Sequence, residues 1–298
     1  MRAMDPPARE LELSVARTDS NATRILVISP HAGAMTEDVE RKLRREFADH
    51  LIVEIESGEE LKQMASPQAR IVVAGGDGSV ELIVRMFADT QHPIGIIPLG
   101  TYNNLAHALR LSTDIDKAID VARNGTPRPI TLGRVNDHIF VEACAVGLFG
   151  ETIGLGEAAK DQKYGELTEH VKNVITASAF RYELTGDLDG SGHAKSLVFS
   201  NTGSIGSQLS VSDTSPINPY LEFSVHAGRS RMDIARRALL AALRQKRTHI
   251  EADQVFKFER IVVKTKPRVR VYADNFLVGR TPATVTAEPN ALKVLLPE

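Results

Sequence analysis

The stretch VVAGGDGSVELIV, residues 72–84, runs from apolar residues into Gly75-Gly76-Asp77-Gly78-Ser79 and out into an apolar pattern of helical period. Val80, Ile83, Val84 and Phe87 fall on one helix face, with Ser79 as the expected N-cap. A strand, a glycine turn and a helix in this order suit an open parallel α/β sheet, which binds ligands beyond the carboxyl ends of its strands. The glycines allow unusual dihedrals and close approach of a ligand. The helix start offers free N–H groups and a positive dipole end, which suit phosphate. The carboxylate of Asp77 would repel a bare phosphate. It makes sense where a divalent cation lies between them, or where it holds a sugar hydroxyl or orients the loop. The reading is a nucleotide phosphate or Mg²⁺–phosphate site, against the alternative of an ordinary turn, which Gly-Asp-Gly also suits.

One strand later the pattern repeats in PLGTYNNLAHAL, residues 98–109. Pro98-Leu99-Gly100-Thr101 joins a strand to a helix, with Asn103 and Asn104 at the helix start. Their hydroxyl and amides suit phosphate oxygens or a base, and equally suit helix capping. Two polar glycine turns on adjacent β–α units imply a shared ligand cleft. No Gly-x4-Gly-Lys-Ser/Thr occurs, which excludes a P-loop. Gly76-x-Gly78 is followed by Glu81 where a dinucleotide fingerprint needs Gly or Ala. Gly154-x-Gly156-x-x-Ala159 matches that fingerprint, but in a β-rich region without the βαβ unit it needs.

Outward from these turns, strands at 24–29, 51–55, 70–74 and 93–98 alternate with helices at 36–47, 58–64, 79–87 and 103–111. Ser112 or Thr113 caps one more helix to Arg123, which Asn124–Pro129 ends sharply. This predicts a parallel sheet with helices on both faces. Beyond Pro129 the texture becomes mostly strand: 130–135, 139–146, 194–201, 221–226, 256–264, 268–272, 284–286 and 292–296. Helical patterns return only at 165–178 and 232–246. The expectation is a flexible leader over 1–23, a nucleotide-binding α/β domain over 24–128, and a mostly antiparallel β-sandwich over 129–298.

The 298 residues carry a net charge of −2, which points away from nucleic acid, and 42% apolar residues, enough for a substantial core. Cys144 is the single cysteine, so neither an internal disulfide nor a cysteine metal cluster is available. No apolar run reaches the roughly 18 residues of a membrane span, and residues 1–24 lack the apolar core of a signal peptide. A cytoplasmic setting is expected.

The pair GGDGS, then PLGT-x-N about twenty residues on, resembles the diacylglycerol-kinase catalytic domain family of bacterial lipid kinases, sphingosine kinases and ceramide kinases. NAD kinases carry a related GGDG loop. Weaker similarities lie at Ser29–Gly33, at Ala145-Val146-Gly147 with Lys163-Tyr164-Gly165, at Phe199–Thr202, and over residues 269–297. The resemblance implies an α/β domain joined to a β-sandwich, with ATP and Mg²⁺ in the cleft and a lipid alcohol as substrate. It makes Gly75, Gly76, Asp77, Gly78 and Ser79 the phosphate loop, with Asp77 toward the metal. Gly100, Thr101 and Asn103 would line the same nucleotide site. Asp274, matching the Asp of the family's Asp-Gly-Glu, would be the general base for the lipid hydroxyl; read alone, Asp274-Asn275 is a hairpin turn.

Five positions depart from the family pattern. Asn104 stands where many members have Asp, and Phe276 where Asp-Gly-Glu has its Glu. Asn218 stands where an Asp-Gly-x-Leu segment contributes to a structural metal site. Ser29 replaces an opening Asn, and Ile205-Gly206 stands where a Gly-Gly pair is common. They support an alternative, a nucleotide-binding regulatory protein with weak or lost kinase activity. A kinase of a soluble substrate, of the NAD-kinase type, is a further alternative. The basic amphipathic stretch 231–247 suits transient contact with an anionic membrane or a solvated helix face. Edge strands of the β-rich half leave homodimer pairing open.

Overall fold

The computed structural model describes residues 22–54, 59–151, 178–205, 209–210, 214–227, 248–249 and 254–298. The leader to residue 21, the 154–159 and 163–165 segments, Gly206, the helices read at 165–178 (Ser178 apart) and 232–246, and the basic stretch 231–247 lie outside the described residues.

The first elements alternate: β1 (Ala22–Ile28), α1 (Glu37–Glu46), β2 (Leu51–Glu54), α2 (Glu59–Met64), β3 (Ala65–Gly75), α3 (Asp77–Phe87), β4 (Pro93–Pro98), α4 (Asn104–Ala108) and α5 (Ile115–Asn124). The strands pair in parallel in the order β2-β1-β3-β4. Both faces of this sheet are covered, so the central stretches Ile25–Ile28, Ile71–Ala74 and Ile94–Ile97 are buried and carry no charged or polar side chain. Ile25, Val27, Ile71 and Val73 pack on one side with Ile83, Val84 and Phe87 of α3. Leu26, Ile28, Val72 and Ala74 pack on the other with Leu43 of α1 and Ile119 of α5. Thr36 caps α1, accepting from the Val39 N–H at 3.3 Å.

The second half is built from strands: β5 (Thr126–Val135), β6 (His138–Phe140), β7 (Ala143–Gly147), β8 (Phe180–Gly186), β9 (Gly190–Ala194), β10 (Ser196–Ser200), β11 (Ser204–Ile205), β12 (Leu209–Ser210), β13 (Leu221–His226), β14 (Thr248–His249), β15 (Gln254–Phe258), β16 (Arg260–Lys266), β17 (Arg270–Ala273), β18 (Phe276–Arg280) and β19 (Ala283–Leu296). An antiparallel sheet in the order β15-β13-β10-β7-β17-β18 packs over β5, β8, β16 and β19. Cys144, Phe199, Phe223, Ile261 and Val285 fill the space between the layers. The fold is thus an N-terminal α/β domain with a parallel sheet, followed by a mostly antiparallel β domain, as the sequence predicts.

β19 joins the halves. It runs antiparallel to β5 and β16, and its last part lies parallel to β4. Leu292, Val294 and Leu296 therefore complete the core of the α/β half.

Local boundaries differ from the sequence expectation for identifiable reasons. The cap of α3 is Gly76, not Ser79, so Asp77, Gly78 and Ser79 form the helix's first turn. The cap of α5 is Asp114, whose carboxylate accepts from the Lys117 N–H at 3.0 Å, not Ser112 or Thr113. α4 is only five residues, closed by Arg110 at φ 58°. Residues 126–129, read from the sequence only as the segment that ends the helix, are strand, because β19 supplies a partner from Thr126 to Ile130. The expected strand 139–146 breaks at Val141-Glu142, whose N–H groups turn onto Asp274.

Candidate active site

Three loops meet at the carboxyl ends of β1, β3 and β4. The Ser29 N–H donates to the Ala74 carbonyl at 3.0 Å, and the Leu99 N–H to the Gly75 carbonyl at 2.9 Å. The connection after β1 leads outward to β2 and that after β3 leads the opposite way to β4, so a topological switch point, the usual ligand crevice, lies between β1 and β3. The two glycine turns touch backbone to backbone. A Cβ on Gly100 would lie 2.8 Å from the Gly76 Cα and 3.2 Å from the Asp77 N. A Cβ on Gly75 would lie 2.8 Å from the Ser79 Cβ. Gly78 is different: it is exposed, with nothing within 4 Å of where its Cβ would stand.

Asp77 ties the turns together. Its Oδ2 accepts from the Asn103 N–H at 2.9 Å and its Oδ1 from the Asn104 N–H at 2.6 Å. The carboxylate thus caps α4, whose own N-cap residue, Asn103, provides no side-chain cap. Asn103 is held at φ 52° and closes on Gly100 with two hydrogen bonds of its own, 2.9 and 2.8 Å long. This answers why a carboxylate sits among the glycines: it organises the second turn from the first, with no cation required for that task. Each carboxylate oxygen keeps a lone pair for a further partner. Gly76 has no side chain to cap α3, so the N–H groups of that helix's first turn remain available to a phosphate.

Behind the turns is a buried ionic network that the sequence motifs do not announce. Asp274 is 3% exposed. Its Oδ1 accepts from the N–H groups of Glu142 and Ala143 at 2.8 and 3.1 Å, and its Oδ2 from the Val141 N–H at 2.9 Å. Arg85 of α3 donates to the same Oδ2 at 2.5 Å and to Glu81 at 2.9 Å. The Asp274 backbone is left-handed, φ 47°, as the hairpin reading requires. The β17–β18 hairpin and α3 are thereby linked through one guanidinium.

Two family departures fall on this network. Asn104 donates its amide to both oxygens of buried Glu142, at 3.0 and 3.1 Å. An aspartate at 104 would set a second carboxylate against it. Burial, and then Glu81, Asp77 and Asp274, push Glu142 well above the usual carboxylate range. Phe276 lies against Arg85, the guanidinium 4.9 Å from the ring centroid. A third departure lies apart: the Asn218 carbonyl accepts from Thr131 Oγ1 at 2.6 Å, and the Thr131 N–H donates to the Pro216 carbonyl at 2.7 Å. Direct hydrogen bonds hold this loop, and no cluster of three metal-ligating side chains occurs among the described residues.

The structure therefore places Gly75, Gly76, Asp77, Gly78, Ser79, Gly100, Thr101 and Asn103, the residues picked from the sequence, in one crevice. It places Asp274 behind α3, across Arg85 from the loop. Arg85, Glu81 and Glu142 were missed. The Glu81–Arg85 spacing of four on a helix was a usable signal; Glu142, a lone acid in an apolar run, was a weaker one.

Comparison with known proteins bears on this crevice. Residues 24–135, which contain both glycine turns, match the profile of the diacylglycerol kinase catalytic domain. The chain is 29% identical over 239 residues to a diacylglycerol kinase of Mycobacterium tuberculosis, covering 76% of each chain. In fold, it superposes on the crystal structure of a diacylglycerol kinase from Bacillus anthracis with TM-score 0.68 and 18% identity, over 94% of this chain and 98% of that one. An NAD kinase from Archaeoglobus fulgidus, crystallised with ATP, superposes with TM-score 0.56 and 13% identity, over 92% and 93%. The domain match and the names of these relatives support a phosphotransferase of the kinase type.

Proposed function

We propose that the protein transfers the γ-phosphoryl group of ATP to the hydroxyl of a diacylglycerol-like lipid. One observation carries the reading: two glycine turns, joined through Asp77, form a crevice at the switch point of the parallel sheet, beside an uncapped helix start. In this reading residues 24–128 bind the nucleotide and residues 129–298 receive the lipid. Gly75, Gly76, Gly78 and Ser79 approach the phosphates, and Gly100, Thr101 and Asn103 line the other wall. Asp77 would hold Mg²⁺ through its remaining lone pairs, and Mg²⁺ when bound would neutralise phosphate charge. Asp274 would accept the proton of the lipid hydroxyl. The lipid substrate calls for transient contact with a membrane surface; no helix among the described residues is long and apolar enough to cross one.

One observation favours a second reading. Asp274 already accepts three backbone N–H groups and the Arg85 guanidinium. Four hydrogen bonds occupy the lone pairs of this carboxylate, which leaves no acceptor site for a substrate hydroxyl until Arg85 lets go. A nucleotide-binding protein without transfer fits that arrangement. Labelled ATP with Mg²⁺, offered to diacylglycerol in mixed micelles and separately to NAD, decides. Label on the lipid supports the kinase reading, label on NAD replaces the acceptor, and ATP binding without transfer supports the second reading.

A further inference from the structure

The segment Phe199–Thr202 holds a buried polar side chain outside the glycine turns. Asn201 directly follows β10 and is 0% exposed. Its amide protons serve two different segments: Nδ2 donates to the Thr131 carbonyl of β5 and to the Val141 carbonyl, both at 2.9 Å. Its backbone N–H donates to the Glu142 carbonyl at 2.8 Å, one residue beyond the β7–β10 ladder that pairs Ser200 with Ala143. Its Oδ1 has no hydrogen-bond partner among the described residues. A buried acceptor left alone costs free energy, so the site uses this side chain for its donors.

Those donors act on the peptides that cradle Asp274. The carbonyl of one residue and the N–H of the next share one rigid plane and point in opposite directions. In the plane joining Val141 to Glu142, Asn201 Nδ2 holds the carbonyl and the N–H reaches Asp274 Oδ1 at 2.8 Å. In the plane joining Glu142 to Ala143, the Asn201 N–H holds the carbonyl and the N–H reaches the same Oδ1 at 3.1 Å. Two successive peptide planes are thus clamped between Asn201 and Asp274. A flip of either plane would turn a carbonyl oxygen toward the carboxylate. The task needs a short, neutral head with two donors on one atom. Aspartate would set oxygens against two carbonyls, serine has one donor, and lysine or arginine would bury a charge. We infer that Asn201 is a positioning residue: it fixes the two peptides that aim the Asp274 carboxylate, through contacts that do not involve Arg85. The carboxylate therefore keeps its place when Arg85 lets go. The clamp stands on these contacts; its bearing on phosphoryl transfer rests on the kinase reading.

Asn201→Asp is the stronger test and Asn201→Ser the milder, which serves if the stronger fails to fold. Ile261→Val thins the core of the β half, touches none of these hydrogen bonds, and is the control for loss of stability. Amide hydrogen exchange is followed residue by residue by NMR, and lipid phosphorylation is measured alongside. In N201S the Glu142 and Ala143 amides exchange roughly tenfold faster than in the control, as the loss of one supporting hydrogen bond implies. The kcat falls with them, while KM for ATP is unchanged because both glycine turns are intact. Amides at 142 and 143 that exchange as in the control overturn the inference. So does an unchanged kcat in a variant whose amides are loosened. If the parent transfers no phosphate, faster exchange keeps the clamp and removes the kinase reading, whereas unchanged exchange removes the clamp.

Discussion

A kinase hypothesis invites the substitution Asp274→Asn, and the structure makes its outcome calculable. The backbone at 274 has φ 47°, which asparagine adopts as readily as aspartate, so the change isolates the side chain. The amide oxygen keeps the two N–H groups of Glu142 and Ala143. The amide nitrogen then faces the Val141 N–H and Arg85, donor against donor. An unsatisfied buried N–H costs about 1–3 kcal/mol, and breaking a buried ion pair about 3–5 kcal/mol. Arg85 keeps Glu81 and is partly exposed, so the lower part of that range applies. The expected loss is about 3 kcal/mol, or a fall in Tm of roughly 6–12 °C for a chain of this size. Urea unfolding with equal m values, checked by calorimetry, measures it. If D274N lies within about 0.5 kcal/mol of the parent, the four hydrogen bonds do not hold the hairpin in place. Loss of turnover at full stability would make the carboxylate chemical rather than structural.

Other predictions follow from the same geometry. Gly78→Ala meets open space and, by helix propensity, raises stability by about 0.5–1 kcal/mol; if phosphate binds there, calorimetry shows weaker ATP binding in this stable variant. Gly100→Ala puts a methyl 2.8 Å from the Gly76 backbone and lowers both stability, by about 1–3 kcal/mol, and ATP affinity. Glu142, with a folded pKa above its ordinary 4.5, binds more protons folded than unfolded, so its contribution is full below that value and is lost as pH rises through the window above it. Comparing Tm against pH for the parent and Glu142→Gln should show a shallower decline in the variant, with a difference of up to about 1.4 kcal/mol per pH unit in slope. Thr131→Val deletes the 2.6 Å bond to the Asn218 carbonyl and costs about 1–2 kcal/mol by urea unfolding, whereas a chelator leaves the parent's Tm unchanged.

The glycine turns were legible because they are local. Close backbone contact between Gly76 and Gly100 and a left-handed Asn103 demand those residue types where they stand. The alternating elements of the first half were legible for the same reason, since doubly covered strands read as apolar runs. What was not legible was decided at a distance. Nothing near Val141-Glu142 indicates that the strand should break there; the cause is a carboxylate at 274. Nothing in Thr126–Pro129 shows that β19 will pair with it. A cation, a sugar hydroxyl and the loop itself were all open as partners of Asp77; the two observed lie on the next turn, at 103 and 104. Asn104 and Phe276, seen in sequence only as missing carboxylates, are in the fold partners of Glu142 and Arg85.

The position of β19 sets a timetable for folding. β4 cannot acquire its outer neighbour until a strand far downstream has emerged from the ribosome, roughly 10–40 s later at ordinary rates of synthesis. Throughout that interval the nascent α/β half presents an open, apolar sheet margin to solvent or to another nascent copy. A chaperone that shields strand edges should therefore raise the yield of this protein more than its modest size would suggest, and should do so during translation rather than after release.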